Sequence, residues 1–135
     1  KFKRFRDGMD QLLKEGLAQS FEPVGSLQRV PVLGAVGPLQ FEVLQYRMET
    51  EYGAECRLES APWEEVRWII EKNPPPPEPG NRHREVVIPE MLLPQSATLT
   101  KDARGNWAVL FPDKYSAAYF EQKNEDRFEV FRQPL

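Results

Sequence analysis

The stretch VPVLGAVGPLQFEVL, residues 30–44, contains the transition that decides the fold. Residues 30–36 are nearly all apolar and β-branched, which is typical of a strand covered on at least one face. Gly37 and Pro38 then change the periodicity, because Pro suits the first position of a helix. Apolar side chains follow at helical spacing as far as Gly53: Phe41, Leu44, Met48 and Tyr52, flanked by Leu39 and Val43. We therefore predict a strand over 30–36, the most buried of the chain, and a helix from Pro38 to about Gly53.

The segment before this transition predicts a helix and a strand. At about 100° per residue, a helix over residues 1–15 has one apolar stripe about 100° wide; its members are Phe2, Phe5, Met9, Leu12 and Leu13. Gly16 is placed to end that helix in a left-handed cap. Residues 17–24 then have the pattern of a strand that stops near Pro23 and Gly25.

The segment after the transition is less regular. Residues 54–59 predict a third strand, whereas residues 62–71 fit either a strand or a helix opened by Pro62, and we favour the strand. Seven of the thirteen prolines lie in residues 74–94, which predicts an extended linker or surface loop. A polyproline ligand for an SH3- or WW-type domain is the alternative reading of that segment.

The C-terminal part predicts two strands, a helix and a strand. Residues 97–100 and 106–111 flank the turn residues of a hairpin. Pro112 and Asp113 then open a helix to about Gln122, with Tyr115, Ala118 and Tyr119 on one face, and residues 128–131 form a last strand. We predict an α+β two-layer sandwich, divided into a unit at 1–72, a Pro-rich linker at 73–96, and a ββαβ portion at 97–135 that packs on the first unit.

Composition excludes several kinds of chemistry. The 135 residues include one cysteine, Cys56, and one histidine, His83, which exclude an internal disulfide framework and most zinc or triad sites. We expect Cys56 to be a core residue and His83 to be solvated. Gly34 to Gly37 is not followed by the Lys and Ser/Thr of a phosphate-binding loop, so the sequence predicts no nucleotide site. Together with the single cysteine and histidine, the sequence also predicts no metal site and no catalytic residue in this chain.

The distribution of charge gives a weak indication of nucleic-acid binding. The first fourteen residues hold five basic and two acidic residues, whereas the remainder holds thirteen basic and nineteen acidic residues. A basic helix face of this kind either contacts RNA phosphate locally or is only solvated. The candidate contact residues are Lys1, Lys3, Arg4, Arg6 and Lys14 on the first helix and Arg47 on the second.

Several motifs resemble the C-terminal domain of bacterial peptide chain release factor three, a class-II release factor and translational GTPase. The family pattern Gly-Ala-Val-Gly, one apolar residue, Leu-Gln-Phe, an acid and Val is similar to residues 34–43, with Pro38 at the apolar position. Arg47 and the Glu51-Tyr52 pair follow as in the family. The Lys-x-Lys start, the Glu15-Gly16 turn and the Arg67-Trp68 segment also match. The resemblance is dense over residues 1–72 and loose over 97–132.

The resemblance implies a ferredoxin-like fold similar to the third domain of elongation factor G. It implies a non-catalytic ribosome-contact domain that touches small-subunit rRNA near ribosomal protein S12, within a GTPase that promotes dissociation of class-I release factors. GTP or GDP with magnesium would bind in a missing N-terminal portion, which we expect because the chain does not begin with Met. We also expect a monomeric fragment and, without a long apolar run or secretory signal, a cytoplasmic protein with no membrane partner.

Two other functions remain open at this point. The chain could be a domain of another translational GTPase of the elongation-factor class. It could also be a scaffold module that recruits a partner through its Pro-rich segment.

Overall fold

The computed structural model describes residues 2–24, 32–35, 37–73, 91 and 93–135. These residues form an α+β arrangement of three helices and six strands, consistent with a ferredoxin-like sandwich. The elements are α1 (Phe2–Lys14), β1 (Gln19–Pro23), β2 (Val32–Gly34), α2 (Pro38–Tyr52), β3 (Glu65–Glu71), β4 (Thr98–Asp102), β5 (Trp107–Phe111), α3 (Lys114–Lys123) and β6 (Phe128–Phe131). They fall into two compact units: Lys1–Pro62 with Thr100–Gly105, and Trp63–Leu99 with Asn106–Leu135.

The first unit packs α1 against α2 through their apolar faces. Its core consists of Met9, Leu12, Leu44, Met48 and Ala54. Gly8 lies where α1 packs tightly against side chains of α2, because a Cβ there would be 2.8 Å from Cγ of Tyr52 and 2.9 Å from Sδ of Met48. Gly53 ends α2, as the sequence predicts, and it has the left-handed conformation, with φ of 62°.

The strands of the first unit are antiparallel. β1 pairs with β2, with Ser20 opposite Leu33. On its other side β1 pairs with the end of β4, with Phe21 opposite Asp102. A Cβ at Gly34 would lie 3.0 Å from the ring of Phe21, so this glycine leaves room for a buried aromatic side chain.

The second unit is built around β3. This strand pairs antiparallel with β5 on one side, with Arg67 opposite Val109, and with β6 on the other, with Ile69 opposite Val130. The side chains of α3 and the strands form an aromatic core in which the ring centroids of Phe111 and Phe120 are 5.4 Å apart. Its large buried side chains are Ile69, Val109, Phe111, Phe120 and Phe128.

The structure confirms the strand at 62–71 and corrects two other predictions. Residues 54–59, all described, form no strand. The backbone carbonyl of Cys56 instead accepts a hydrogen bond of 2.8 Å from Nε2 of Gln45, so a side chain of α2 replaces a strand partner. Within the described residues β2 covers only Val32–Gly34 and is half-buried, whereas β5 is buried from Ala108 to Phe111.

Two further predictions stay untested. Almost all of the Pro-rich segment lies outside the described residues, which leave out 74–90 and 92. The domain boundaries at 72/73 and 96/97 remain predictions. In the second unit, β3 pairs with strands from the C-terminal ββαβ portion.

The side chain of Asp113 caps the N-terminus of α3. The Asp113 carboxylate accepts a 2.7 Å hydrogen bond from the backbone N–H of Ser116, and this bond lowers the pKa of Asp113. A lowered folded-state pKa means that the cap stabilises the fold above the unfolded pKa and that this contribution is lost as pH falls through the folded value. We expect Asp113→Ala to lower the urea unfolding midpoint at pH 7.

Asp113→Asn is the matched control for this prediction. An amide can still cap the helix but does not titrate. At pH 7 its midpoint should therefore lie above that of Asp113→Ala. The stability lost between pH 7 and pH 3 should also be smaller than in the unchanged chain. An Asp113→Ala midpoint equal to that of the unchanged chain at pH 7 contradicts the cap.

Candidate functional site

The cations predicted to form a contact surface lie mainly on the exposed side of α1. Lys3, Arg4, Arg6 and Lys14 are all exposed, while Lys1 lies outside the described residues. The apolar stripe opposite them is buried through Met9 and Leu12, as predicted. The hydrophobic effect on that stripe therefore fixes which side of α1 faces outward.

The outermost strip of α1 carries both signs of charge. At about 100° per residue, Lys3 and Lys14 fall within about 40° of Asp7 and Asp10 on the helix wheel, and all four side chains are exposed. Two lysines and two aspartates make this strip neutral in sum. The strip can make local contacts with phosphates, but it does not attract a polyanion over a long distance.

Arg47 occupies a different position from the cations of α1. Its guanidinium donates hydrogen bonds of 3.2 and 3.1 Å to the two carboxylate oxygens of Glu15, and it also pairs with Glu51. The bond to Arg47 lowers the pKa of Glu51, and bonds to Glu51 and Glu15 raise the pKa of Arg47. Arg47 thus ties the residue after α1 to α2, and a ribosome contact for it remains a prediction.

The second unit contains a buried ion-pair cluster. Arg67 on β3 donates a 2.8 Å hydrogen bond from Nε to Glu121 of α3 and a 3.1 Å bond from Nη1 to Glu65. Nη1 also donates to the backbone carbonyl of Val66, and only 8% of the arginine side chain is exposed. The cluster attaches α3 to β3.

The outward face of α3 is a surface that the sequence pattern did not identify as exposed. Tyr115, Ala118 and Tyr119 do share one face, as predicted, but that face is exposed while Ala117 and Phe120 are buried. Tyr115 is 74% exposed and Tyr119 is 53% exposed. The spacing of Ala117, Phe120 and Asn124 is the signal that could have identified the inner face.

Other residues weighed from the sequence show no arrangement for chemistry. Cys56 is half-buried, and burial followed by the nearby charge of Glu49 raises the pKa of its thiol, which makes it a weaker nucleophile. His83 lies outside the described residues. Among the residues that are described, no group of three or more His, Cys, Asp or Glu side chains is arranged to hold a metal ion. The described helices also include none long and apolar enough to cross a membrane.

The helices, the antiparallel strands and the packing of α1 on α2 define an α+β domain of the ferredoxin-like class. The model of the family "Class II release factor RF3, C-terminal domain" matches residues 1–121. The chain therefore belongs to the family of class II release factor RF3 C-terminal domains.

Individual relatives agree with this family. A peptide chain release factor 3 from Cyanothece sp. is 36% identical over 117 residues, covering 87% of this chain and 19% of the relative. The release factor 3 proteins of Synechococcus elongatus and Acaryochloris marina are 49% and 46% identical over 69 residues, or 51% of this chain. The chain spans a fifth or less of the length of these relatives, covering 19%, 12% and 13% of them in the order named. It corresponds to one part of these longer release factor 3 relatives.

Proposed function

We propose that this chain is the ribosome-contact domain of a GTP-dependent release factor that promotes dissociation of class-I release factors. The family match over residues 1–121 carries the proposal, because it covers the first unit and most of the second. It favours termination over the alternative of an elongation cycle, since the relatives are named peptide chain release factor 3. The scaffold alternative rests on residues 74–80, which lie outside the described part of the chain.

The chain acts by binding rather than by catalysis in this proposal. Its sequence contains no Gly-x-x-x-x-Gly-Lys-[Ser/Thr] loop, so its residues do not fit the phosphates of GTP. Nucleotide and magnesium would be held elsewhere in a longer protein. The partners are small-subunit rRNA and ribosomal protein S12, with class-I factors affected indirectly, and the site of action is the cytoplasm.

Rigid packing supports a mechanical role for the first unit. The close packing at Gly8 holds α1 on α2, and the exposed bond from Arg47 to Glu15 adds a smaller contribution. A contact surface on α1 therefore moves together with α2 as one body. Conformational changes driven by GTP in other domains would then alter how that surface fits the ribosome.

The exposed cations of α1 provide a test of ribosome contact. We expect replacement of Lys3, Arg4, Arg6 and Lys14 by Gln in the full-length protein to weaken its binding to purified ribosomes. The dependence of log K on log salt should also become less steep, because fewer counterions are released. Co-sedimentation at several salt concentrations measures both quantities, and GTP hydrolysis without ribosomes serves as the control that should not change.

Ribosome affinity and salt slope equal to those of the unchanged protein would remove these cations from the contact surface. The wider proposal has a separate test. The full-length protein should hydrolyse GTP faster when ribosomes are present, and this chain alone should show no hydrolysis. GTP hydrolysis by the isolated chain would contradict a purely binding role.

A further inference from the structure

The outward face of α3 combines two exposed aromatic rings with two cations. Lys114, Tyr115, Ala118, Tyr119, Gln122 and Lys123 are all exposed. At about 100° per residue they cover one continuous side of the helix, opposite the buried Ala117 and Phe120. No member of this set, the α3 outer face, is acidic.

Each lysine of the α3 outer face lies close to a ring. Nζ of Lys114 is 5.4 Å from the ring centroid of Tyr115, and Nζ of Lys123 is 5.6 Å from that of Tyr119. These distances are within the range of a cation–π contact. The contacts place positive charge beside a planar aromatic surface at both ends of the helix.

The one carboxylate within α3, Glu121, borders this face and lines the same depression as Lys114, Tyr115 and Ala118. Glu121 accepts the 2.8 Å hydrogen bond from Nε of Arg67, and its side chain is 30% exposed. That arginine is shared with Glu65. The α3 outer face itself holds two lysines and no carboxylate, and the exposed Glu125 and Asp126 lie just beyond the C-terminal end of α3. In the outermost strip of α1, by contrast, lysines and aspartates are equal in number.

Charge and ring geometry together indicate the kind of partner. A basic protein surface would be repelled by the two lysines, and a purely apolar groove would have to desolvate them. RNA offers phosphates for the ammonium groups and flat bases for the tyrosine rings, and stacking of bases on aromatic side chains is a common mode of single-strand recognition. Unpaired or looped RNA fits best, because its bases are accessible for stacking.

We propose that the α3 outer face binds an unpaired or looped segment of ribosomal RNA, with Tyr115 and Tyr119 stacking on bases and Lys114 and Lys123 contacting phosphates. The inference rests on the proposed function, since it names the RNA partner for a second surface of the same ribosome-contact domain.

Site-specific crosslinking tests the partner directly. Gln122 lies about one turn after Tyr119 on the α3 outer face, and a photoreactive p-benzoylphenylalanine placed there in the full-length protein should crosslink to rRNA on irradiated 70S ribosomes. Primer extension locates the crosslinked nucleotide. Crosslinks confined to ribosomal proteins, or no crosslink while the protein still binds ribosomes, would overturn the proposal.

Paired substitutions separate stacking from charge. Tyr115→Ala with Tyr119→Ala should weaken ribosome affinity about tenfold or more, whereas Tyr115→Phe with Tyr119→Phe should retain it, because Phe still stacks. Lys114→Gln with Lys123→Gln should reduce the salt slope by roughly 1.4, from two single-strand phosphate contacts. Arg57→Gln with Lys72→Gln removes the same charge from exposed positions outside this face and should leave the slope unchanged.

The outcomes separate failure of the proposed ribosome-contact function from failure of the α3 proposal. If the full-length protein binds ribosomes equally well without residues 1–135, the proposed function fails, and the α3 proposal fails with it. If deletion weakens binding but neither the Tyr→Ala pair nor the Lys→Gln pair does, only the α3 proposal is overturned. Unfolding midpoints of the variants equal to that of the unchanged chain show that any loss of binding is not a loss of folding.

Discussion

Arg67→Ala should lower the free energy of unfolding of this chain by about 3 kcal/mol. The guanidinium is nearly buried and bonds to Glu65, Glu121 and the carbonyl of Val66. Its removal leaves a cavity at a nearly buried position, and it leaves the carbonyl of Val66 and two carboxylates, which are 36% and 30% exposed, without their donor. Urea denaturation followed by tryptophan fluorescence measures the change, since Trp68 is buried next to Arg67 in the same strand.

Arg47→Ala is the matched control for this prediction. Arg47 also bridges two glutamates, but 28% of its side chain is exposed, against 8% for Arg67. Water can solvate Glu15 and Glu51 once the arginine is gone, so the loss should be much smaller. Equal decreases in the free energy of unfolding for Arg47→Ala and Arg67→Ala would contradict the claim that burial of Arg67 gives its cluster the larger contribution to stability.

Gly8→Val should destabilise the chain by about 2 to 3 kcal/mol. A Cβ at this position would be 2.8 Å from Cγ of Tyr52. Cγ is the ring atom attached to Cβ, so the clash is relieved only if the whole tyrosine ring or α2 moves. The valine methyl groups add further volume at the same contact. The result would be a separation of α1 from α2, seen as a lower unfolding midpoint and faster hydrogen exchange in both helices.

Gln11→Val separates crowding from helix propensity. Gln11 is exposed on the same helix, so its substitution carries the β-branched cost without a steric clash and should stay within about 0.5 kcal/mol. Combining Gly8→Val with Tyr52→Ala should cost less than the sum of the two single changes, because the clash is relieved. Additive losses would show that Gly8 is not a close-packing residue.

The helices were predictable because their signals are local. Gly37-Pro38 and Gly53 set the ends of α2, Asp113 sets the start of α3, and the apolar stripe of α1 sets its buried face. Each signal depends on residues within one or two helical turns. The strand at Glu65–Glu71 was also predicted, although its partners β5 and β6 come from much later in the chain.

The features that sequence reasoning missed depend on long-range partners. Residues 54–59 have a strand-like pattern, but Gln45 rather than a strand bonds the carbonyl of Cys56. The sequence predicts that the tyrosines of α3 share one face, but it does not show whether that face is buried or exposed. The packing of Phe111 and Phe128 on Phe120 decides this, and it turns the tyrosines outward. The Glu15 and Glu121 partners of Arg47 and Arg67 are 32 and 54 residues away in sequence.

The most direct test of ribosome contact is a cryo-electron microscopy structure of the full-length protein bound to a ribosome with a non-hydrolysable GTP analogue. We expect α1 to contact the small subunit and the α3 outer face to lie on rRNA, with Tyr115 or Tyr119 stacked on a base. A complex in which both helix faces are surrounded by solvent would contradict the account.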